Sequence, residues 1–430
     1  MDAKDTKETK DTKDTKGTRA IASRTYNLHM PIGTAVHERT FALAESLNYR
    51  EWSGYYAVSA YEAHHEHEYN AIRNASALID VSPLFKYIVS GRDAAKLVDR
   101  VITRDAFKLA VGQVYYTPWC DEWGKVIDDG TVTRVAENTF RWTAADPSLR
   151  WFRQNAMGLD VTVEDISEQV AALALQGPTS GRLLAAVADA DIRNLKYFRM
   201  TRGTIRGVPV EVSRTGYTGD LGYEIWMPWD RAVDVWDALM SGGRPFDIQP
   251  AGMLALDVAR VEAGLLLIDV DFNSSKKALI ESQKYTPYEM GLGRLVQLDK
   301  RPFVGRAPLV DEQRRGPARQ IVGLEIGWPA IEKLYDDIGM PPQVAATASR
   351  VAVPVYKSGR QVGRATTTTW SPVLKKMIAL ATISAPHFAE GTELEFEVTV
   401  EAVRHRVPAV VVKTPFFNPP RKTASLSSVV

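Results

Sequence analysis

Cysteine is nearly absent from this sequence: Cys120 is the only one. One thiol makes neither an internal disulfide nor a thiolate metal site, which fits a reducing compartment. An excess of either charge is missing too. With 53 basic against 52 acidic residues in 430, nothing calls for nucleic acid or an anionic membrane as partner, so the ligand is expected to be small, or another protein. No apolar run approaches the roughly 18 residues of a membrane span, and the charged N-terminus lacks the apolar centre of a secretion signal. A soluble, cytoplasmic protein is the expectation. Metal motifs are also lacking. In YEAHHEHEYNAIR the adjacent histidines His64 and His65 do not share a helix face, His67 completes no H-E-x-x-H spacing, and no metal site is expected.

What is present is organised in blocks. Residues 1–19 open as a charged Lys, Asp or Glu, and Thr repeat without large apolar side chains, read as a disordered tail. Residues 20–310 alternate β-rich runs with helical patterns, including one helix started by Asp230 and carrying Val233, Trp236, Leu239 and Met240, and another over about Gly252 to Gly264. Past the polar DEQRRGPAR segment, residues 319–415 repeat strands and turns in the manner of a small barrel, with a hairpin turn at Lys357-Ser358-Gly359-Arg360. Residues 416–430 read as a loose tail.

Three stretches could carry chemistry. In RTGYTGDLGYEIWM, Gly216, Gly219 and Gly222 recur every third position and Tyr223 precedes Glu224. The stretch lies between two strands, GVPVEVSR and YEIWM, so it is neither a dinucleotide fingerprint, which runs from strand to helix, nor a phosphate loop. Taken alone it is an ordinary hairpin, or a site where Glu224 accepts two parallel N–H bonds from a planar N–C–N edge, as a pterin or guanine offers, with Tyr217 nearby to stack. In GKVIDDGTVTR, Asp128 and Asp129 are adjacent in a strand, so only one can face a given pocket, and its neighbour would face water. Asp-Gly also reads as an exposed turn. Aromatics crowd at Tyr49, Trp52, Tyr55, Tyr56 and Tyr61 and again at Tyr115, Tyr116, Trp119 and Trp123. Core packing accounts for such residues, and so does a pocket for a planar cofactor and an apolar substrate.

In order along the chain, NASALIDVSPLFKYIVSG, GKVIDDGTVTR, LALQGPTS, RTGYTGDLGYEIW, PAGMLALDVARVEAGL, YEMGLGRLVQLDKRPFVGR and SPVLKKMIALA resemble the aminomethyltransferase family, the glycine-cleavage T-protein and its tetrahydrofolate-dependent relatives. The resemblance runs from about residue 35 to about 415. It implies an α+β, three-domain cloverleaf around a central folate site, with a C-terminal β-barrel. It further implies tetrahydrofolate as cofactor, Glu224 on the pterin N–C–N edge, Tyr217 lining the site, and Asp129 with Tyr116 by the reacting nitrogens.

Departures from the T-protein pattern qualify this. Pro83 stands for the histidine of D-V-S-H, Leu256 for the arginine of G-A-R-D, and Ala145 for the asparagine of V-V-N-A. Losing these groups argues against a lipoyl-carrying H-protein as partner and for a small-molecule donor. The expected activity is that of a demethylase branch: a methyl or methylene group moves from an ether, amine or sulfonium to tetrahydrofolate. Asp129, Tyr116 and Tyr217 are the catalytic candidates. The aromatic crowding leans towards an aryl ether or methylenedioxy donor. A true T-protein and a folate-binding scaffold without catalysis are the alternatives, and any flavin would need a separate subunit.

Overall fold

The computed structural model describes residues 30–426, so the charged repeat at the N-terminus lies outside the described residues. Two antiparallel-rich sheets and a closed barrel make three lobes, an α+β cloverleaf. The first lobe is a seven-stranded sheet in which Gly222–Pro228 sits between Val208–Ser213 and Val170–Gln176. Strand alternation sorts this segment. Tyr223, Ile225 and Met227 enter the core with Trp236 and Leu239 of the helix Ala232–Gly242, which turns Glu224 and Trp226 to the other face. The second lobe is a five-stranded sheet whose strand Val126–Ala136 pairs with Val114–Cys120 and Thr139–Ala144. Its core centres on Trp119, Trp142 and Phe152, with the two indoles edge to face at 5.3 Å between centroids.

The third lobe is a six-stranded barrel between Arg319 and Val412, closed by pairing of Arg319–Ile326 with Val403–Val412. Ser358 and Gly359 both have positive φ (48° and 77°), the backbone that a two-residue hairpin turn requires. The barrel docks on the helix Met253–Glu262 through buried hydrogen bonds. Ser371 donates to Glu262 at 2.6 Å and Arg260 to Thr367 at 3.0 Å, and the hydroxyls of Thr366 and Thr367 both reach Asp271 at 2.7 Å. Tyr69 and Arg73 approach Glu262 from the helix Glu66–Asn74. Buried polar networks of this kind contribute little net stability but penalise every other register of the helix. The helix face pointing inward is thereby fixed.

Residues 416–426 do not form a loose tail. The Phe417 N–H donates to the Glu262 carbonyl at 2.8 Å, Arg421 holds Asp220 through two bonds at 2.7 and 2.8 Å, and Leu426 is buried in the first core. Composition gave no sign of this, because the anchoring partners lie some 200 residues earlier. Among the described residues no helix is long and apolar enough to cross a membrane.

Candidate functional site

Where the three lobes meet lies a cavity of about 1610 Å³, lined by Tyr115, Tyr116, Asp129, Tyr217, Glu224, Trp226, Leu256 and barrel residues from Gln320 to Gly323. Single drug-sized ligands occupy roughly 300–1,000 Å³, so the volume suits two reactants together. The four residues singled out from the sequence, Asp129, Tyr116, Tyr217 and Glu224, all line it.

Glu224 projects from its strand into the cavity. Its Oε2 accepts the Thr215 hydroxyl at 2.5 Å, and Oε1 takes no hydrogen bond from the described residues. Burial raises its pKa, opposed by the Thr215 bond and by the charge of Arg141. Arg141 is itself committed to Glu211 and lies 4.3 Å from the centroid of the Trp226 ring, with Nε unpartnered. Thr215 and Arg141 were not singled out from the sequence. Thr215 lies inside the glycine stretch and was legible in principle, but Arg141 comes from another sheet and was not.

The glycines of that stretch make room for Gln176. A Cβ at Gly216 or Gly222 would meet the Gln176 Oε1 at 2.1 or 2.2 Å, and Gln176 is fixed by donating to the Thr215 and Tyr223 carbonyls and accepting from Thr218. Gly219 has φ +73°, and its Cβ would fall 2.4 Å from that of Ala263. The freedom of the stretch is spent on threading the turn past one buried amide.

Tyr116 donates to Asp129 at 2.5 Å. Burial pushes the Asp129 carboxyl up to about 6, although the Tyr116 bond opposes the shift. Tyr116 is raised well above the ordinary phenol range, by burial and then by the Asp129 charge. Asp128 does not face water, contrary to expectation. It is fully buried on the opposite face of the strand, where it accepts from the backbone N–H groups of Ala145 and Asp146 at 3.1 and 2.9 Å and braces that turn. Burial, and then the neighbouring Asp129, raise its pKa strongly. Gly130 is no turn residue either. It continues the strand, and a Cβ there would lie 2.1 Å from the Thr143 carbonyl oxygen. Gly130→Ala is expected to cost about 1–3 kcal/mol, as overpacking does, with the Asp129 pair displaced. A denaturant titration showing no loss would contradict this.

Tyr217 lines the cavity with its ring, and its hydroxyl donates to the Leu266 carbonyl. Burial raises its pKa well above the phenol range. Of the two aromatic crowds only Trp52, Tyr115 and Tyr116 reach the cavity. Trp119 is core and Trp123 is 70% exposed. Of the three departures, Ala145 and Leu256 line the cavity and Pro83 does not.

Comparison with known proteins gives a consistent result. A family model described as the GCVT N-terminal domain matches residues 34–300, and one described as the glycine cleavage T-protein C-terminal barrel domain matches residues 340–418. A trimethylamine-oxide aldolase of Ruegeria pomeroyi is 34% identical over 400 residues, 90% of this chain and 47% of that protein, so the chain spans about half of this relative's length. Aminomethyltransferases of Caldanaerobacter subterraneus and Moorella thermoacetica are 32% and 33% identical over 82% and 83% of this chain, and 87% and 90% of theirs. The crystal structure of glycine cleavage system aminomethyltransferase T from Bartonella henselae superposes with a TM-score of 0.75 at 22% identity, covering 90% of this chain and 98% of that one. It shares the fold.

Proposed function

Because the chain belongs to the aminomethyltransferase family, whose members transfer one-carbon units with folate, we propose that it moves a methyl or methylene group from a small-molecule ether, amine or sulfonium onto tetrahydrofolate. The observation that carries this is the pairing, in one cavity, of a Glu224 oxygen that takes no donor from the described residues with the Tyr116–Asp129 proton pair. Tetrahydrofolate supplies the nucleophilic nitrogen that accepts the one-carbon unit.

The residues fit such a ligand. Glu224, held by Thr215, can take two N–H bonds from the pterin's N–C–N edge, a charge-assisted pair with fixed geometry. Tyr217 contributes a ring, since its hydroxyl is engaged by Leu266. The cavity also carries Arg104, which donates to the Tyr116 carbonyl at 3.2 Å, with Arg294 and Lys422, charges suited to the carboxylates of a folate tail. When the bond from the donor's oxygen or nitrogen to the carbon breaks, its electron pair stays on the leaving atom, which needs a proton. The attacking nitrogen, once bonded to the carbon, would shed one. Asp129 receives that proton in its ionised form, and Tyr116 can hand its phenolic proton to the leaving group and recover one from Asp129. Such positioned proton transfer contributes about 10²–10⁴ in rate.

Leu256 and Ala145, where a T-protein has arginine and asparagine, support a donor other than an aminomethyl group on a lipoyl arm. The trimethylamine-oxide aldolase relative supports an N-linked carbon as readily as the aryl ether suggested by the aromatics. Glycine cleavage is the second reading, favoured by the near full-length match to aminomethyltransferases. Aminomethyl-loaded H-protein separates the two: release of ammonia supports glycine cleavage, and its absence excludes it.

Titration with tetrahydrofolate tests the proposal, and absence of binding would sink it. Thr215→Val is expected to weaken that binding about tenfold or more, the loss of one hydrogen bond to a charged group. Without that donor Glu224 protonates more readily, so binding should fall off at a higher pH than in the wild type. An unchanged pH profile would contradict the role given to Thr215.

A further inference from the structure

One wall of the cavity gathers two arginines, Arg50 and Arg350, around the single buried carboxylate of Asp257. Arg50 and Trp52 share a face of the strand Asn48–Trp52, while Glu51 between them borders the cavity from its exposed rim and is occupied by the Gly54 N–H at 2.5 Å. Opposite, the helix Met253–Glu262 brings Met253, Leu256 and Asp257 to one face, spaced at three and four residues. The Asp257 Oδ2 accepts from Arg350 at 2.5 Å and from Arg50 at 3.3 Å, and its Oδ1 lies 3.6 Å from the Arg260 Nε. Arg260 is already committed to Asp271 and Thr367. Three guanidinium groups therefore share two carboxylates. Arg350 gives one N–H to Asp257 and no other to the described residues, and Arg50 uses Nε on Ser59. Burial lowers the Arg50 pKa, a sign of a charge short of solvent.

The wall around these arginines is apolar. Trp52, Val81, Leu84, Met253 and Leu256 pack as one cluster with Tyr217 and Trp226 and line the cavity. We propose that the one-carbon donor bears a carboxylate, which Arg50 and Arg350 bind while its apolar body lies on the Trp52, Met253 and Leu256 wall. Planar guanidinium groups with unused parallel N–H donors match a carboxylate in geometry as well as charge. This rests on the reading of the chain as a one-carbon transferase. It is distinct from the folate tail, for which Arg104, which donates to the Tyr116 carbonyl, and Arg294 and Lys422 are available among the lining residues.

The test uses two matched pairs: 3-methoxybenzoate with 3-methoxybenzamide, and N,N-dimethylglycine with its amide. Binding of each to the full chain is measured by calorimetry, with and without tetrahydrofolate. In at least one pair the acid should bind about tenfold or more tightly than the amide, Arg350→Gln should erase that preference, and Arg350→Lys should keep part of it. Arg350 is 38% exposed, so its replacement should leave the fold intact, and the acid–amide comparison needs no variant at all. Equal affinities in both pairs, or no binding of either acid, overturns the proposal. So does an Arg350→Gln variant that loses tetrahydrofolate affinity as much as acid affinity, since the arginines would then serve the folate. Tetrahydrofolate bound normally without any acid preference sinks this inference alone, whereas failure of the wild type to bind tetrahydrofolate sinks the reading beneath it.

Discussion

Asp129→Asn is expected to lower the turnover of one-carbon transfer by about 10²–10⁴ while leaving tetrahydrofolate affinity within about threefold. Asparagine keeps the size of the side chain and can still accept the Tyr116 hydrogen bond, but it cannot take a proton. The pH dependence makes the assignment specific. Asp129 titrates at about 6 because burial disfavours its charge, and only the ionised form is a base. In the wild type kcat/KM should therefore rise with pH through about 6 and then level, and in the variant that rise should vanish. A variant with full turnover, or one that keeps the rise, would remove Asp129 from the mechanism.

Stability should move the other way. A carboxyl whose folded pKa lies above its unfolded one contributes stability that is complete below the unfolded value and is lost as pH rises through the folded one. At pH 8 the ionised Asp129 is thus a burden, and Asp129→Asn should be more stable than the wild type there by on the order of 2 kcal/mol, with little difference near pH 4. A variant less active yet more stable is hard to explain by misfolding.

Glu224→Ala is expected to weaken tetrahydrofolate binding about 100-fold, with the fold retained. The estimate follows from losing hydrogen bonds to a charged group, worth roughly 1.5–3 kcal/mol, and from leaving the pterin donors without their acceptor. Thr215 would be left without its carboxylate partner, a smaller local cost. The contrast between the two variants carries information that neither has alone: one should lose rate with affinity kept, the other affinity above all. Equal binding by Glu224→Ala and the wild type would detach the pterin from the glycine turn.

Much of this site was readable along the chain, for a physical reason. Glu224 and Asp129 both lie in strands, where alternation sends every second side chain to one face, and both follow short local patterns. The limits were just as physical. Gly130 looked like turn chemistry because Asp-Gly usually is, yet here the strand runs on and the Thr143 carbonyl excludes any side chain. Asp128 was expected to face water, but the backbone of the turn at Ala145 and Asp146 supplies the donors that let it be buried. Trp119 and Trp123 are four residues apart, one in the core and the other in solvent, and nothing local distinguishes them. Arg50, Asp257 and Arg350 come from a two-stranded sheet, a helix and the approach to a barrel strand, and meet over a sequence separation of about 300 residues, beyond the reach of any local pattern.

The central claim is that a one-carbon unit leaves a small-molecule donor and arrives on tetrahydrofolate. Its most direct test is the mass of the folate recovered after incubating the protein and tetrahydrofolate with donors deuterated in the methyl or methylene group. The account predicts a folate heavier by the labelled one-carbon unit, formed by the wild type and nearly absent with Asp129→Asn. Folate that binds tightly yet returns with its mass unchanged from every ether, amine and sulfonium would contradict it, and would leave glycine cleavage or a folate-binding scaffold as the reading.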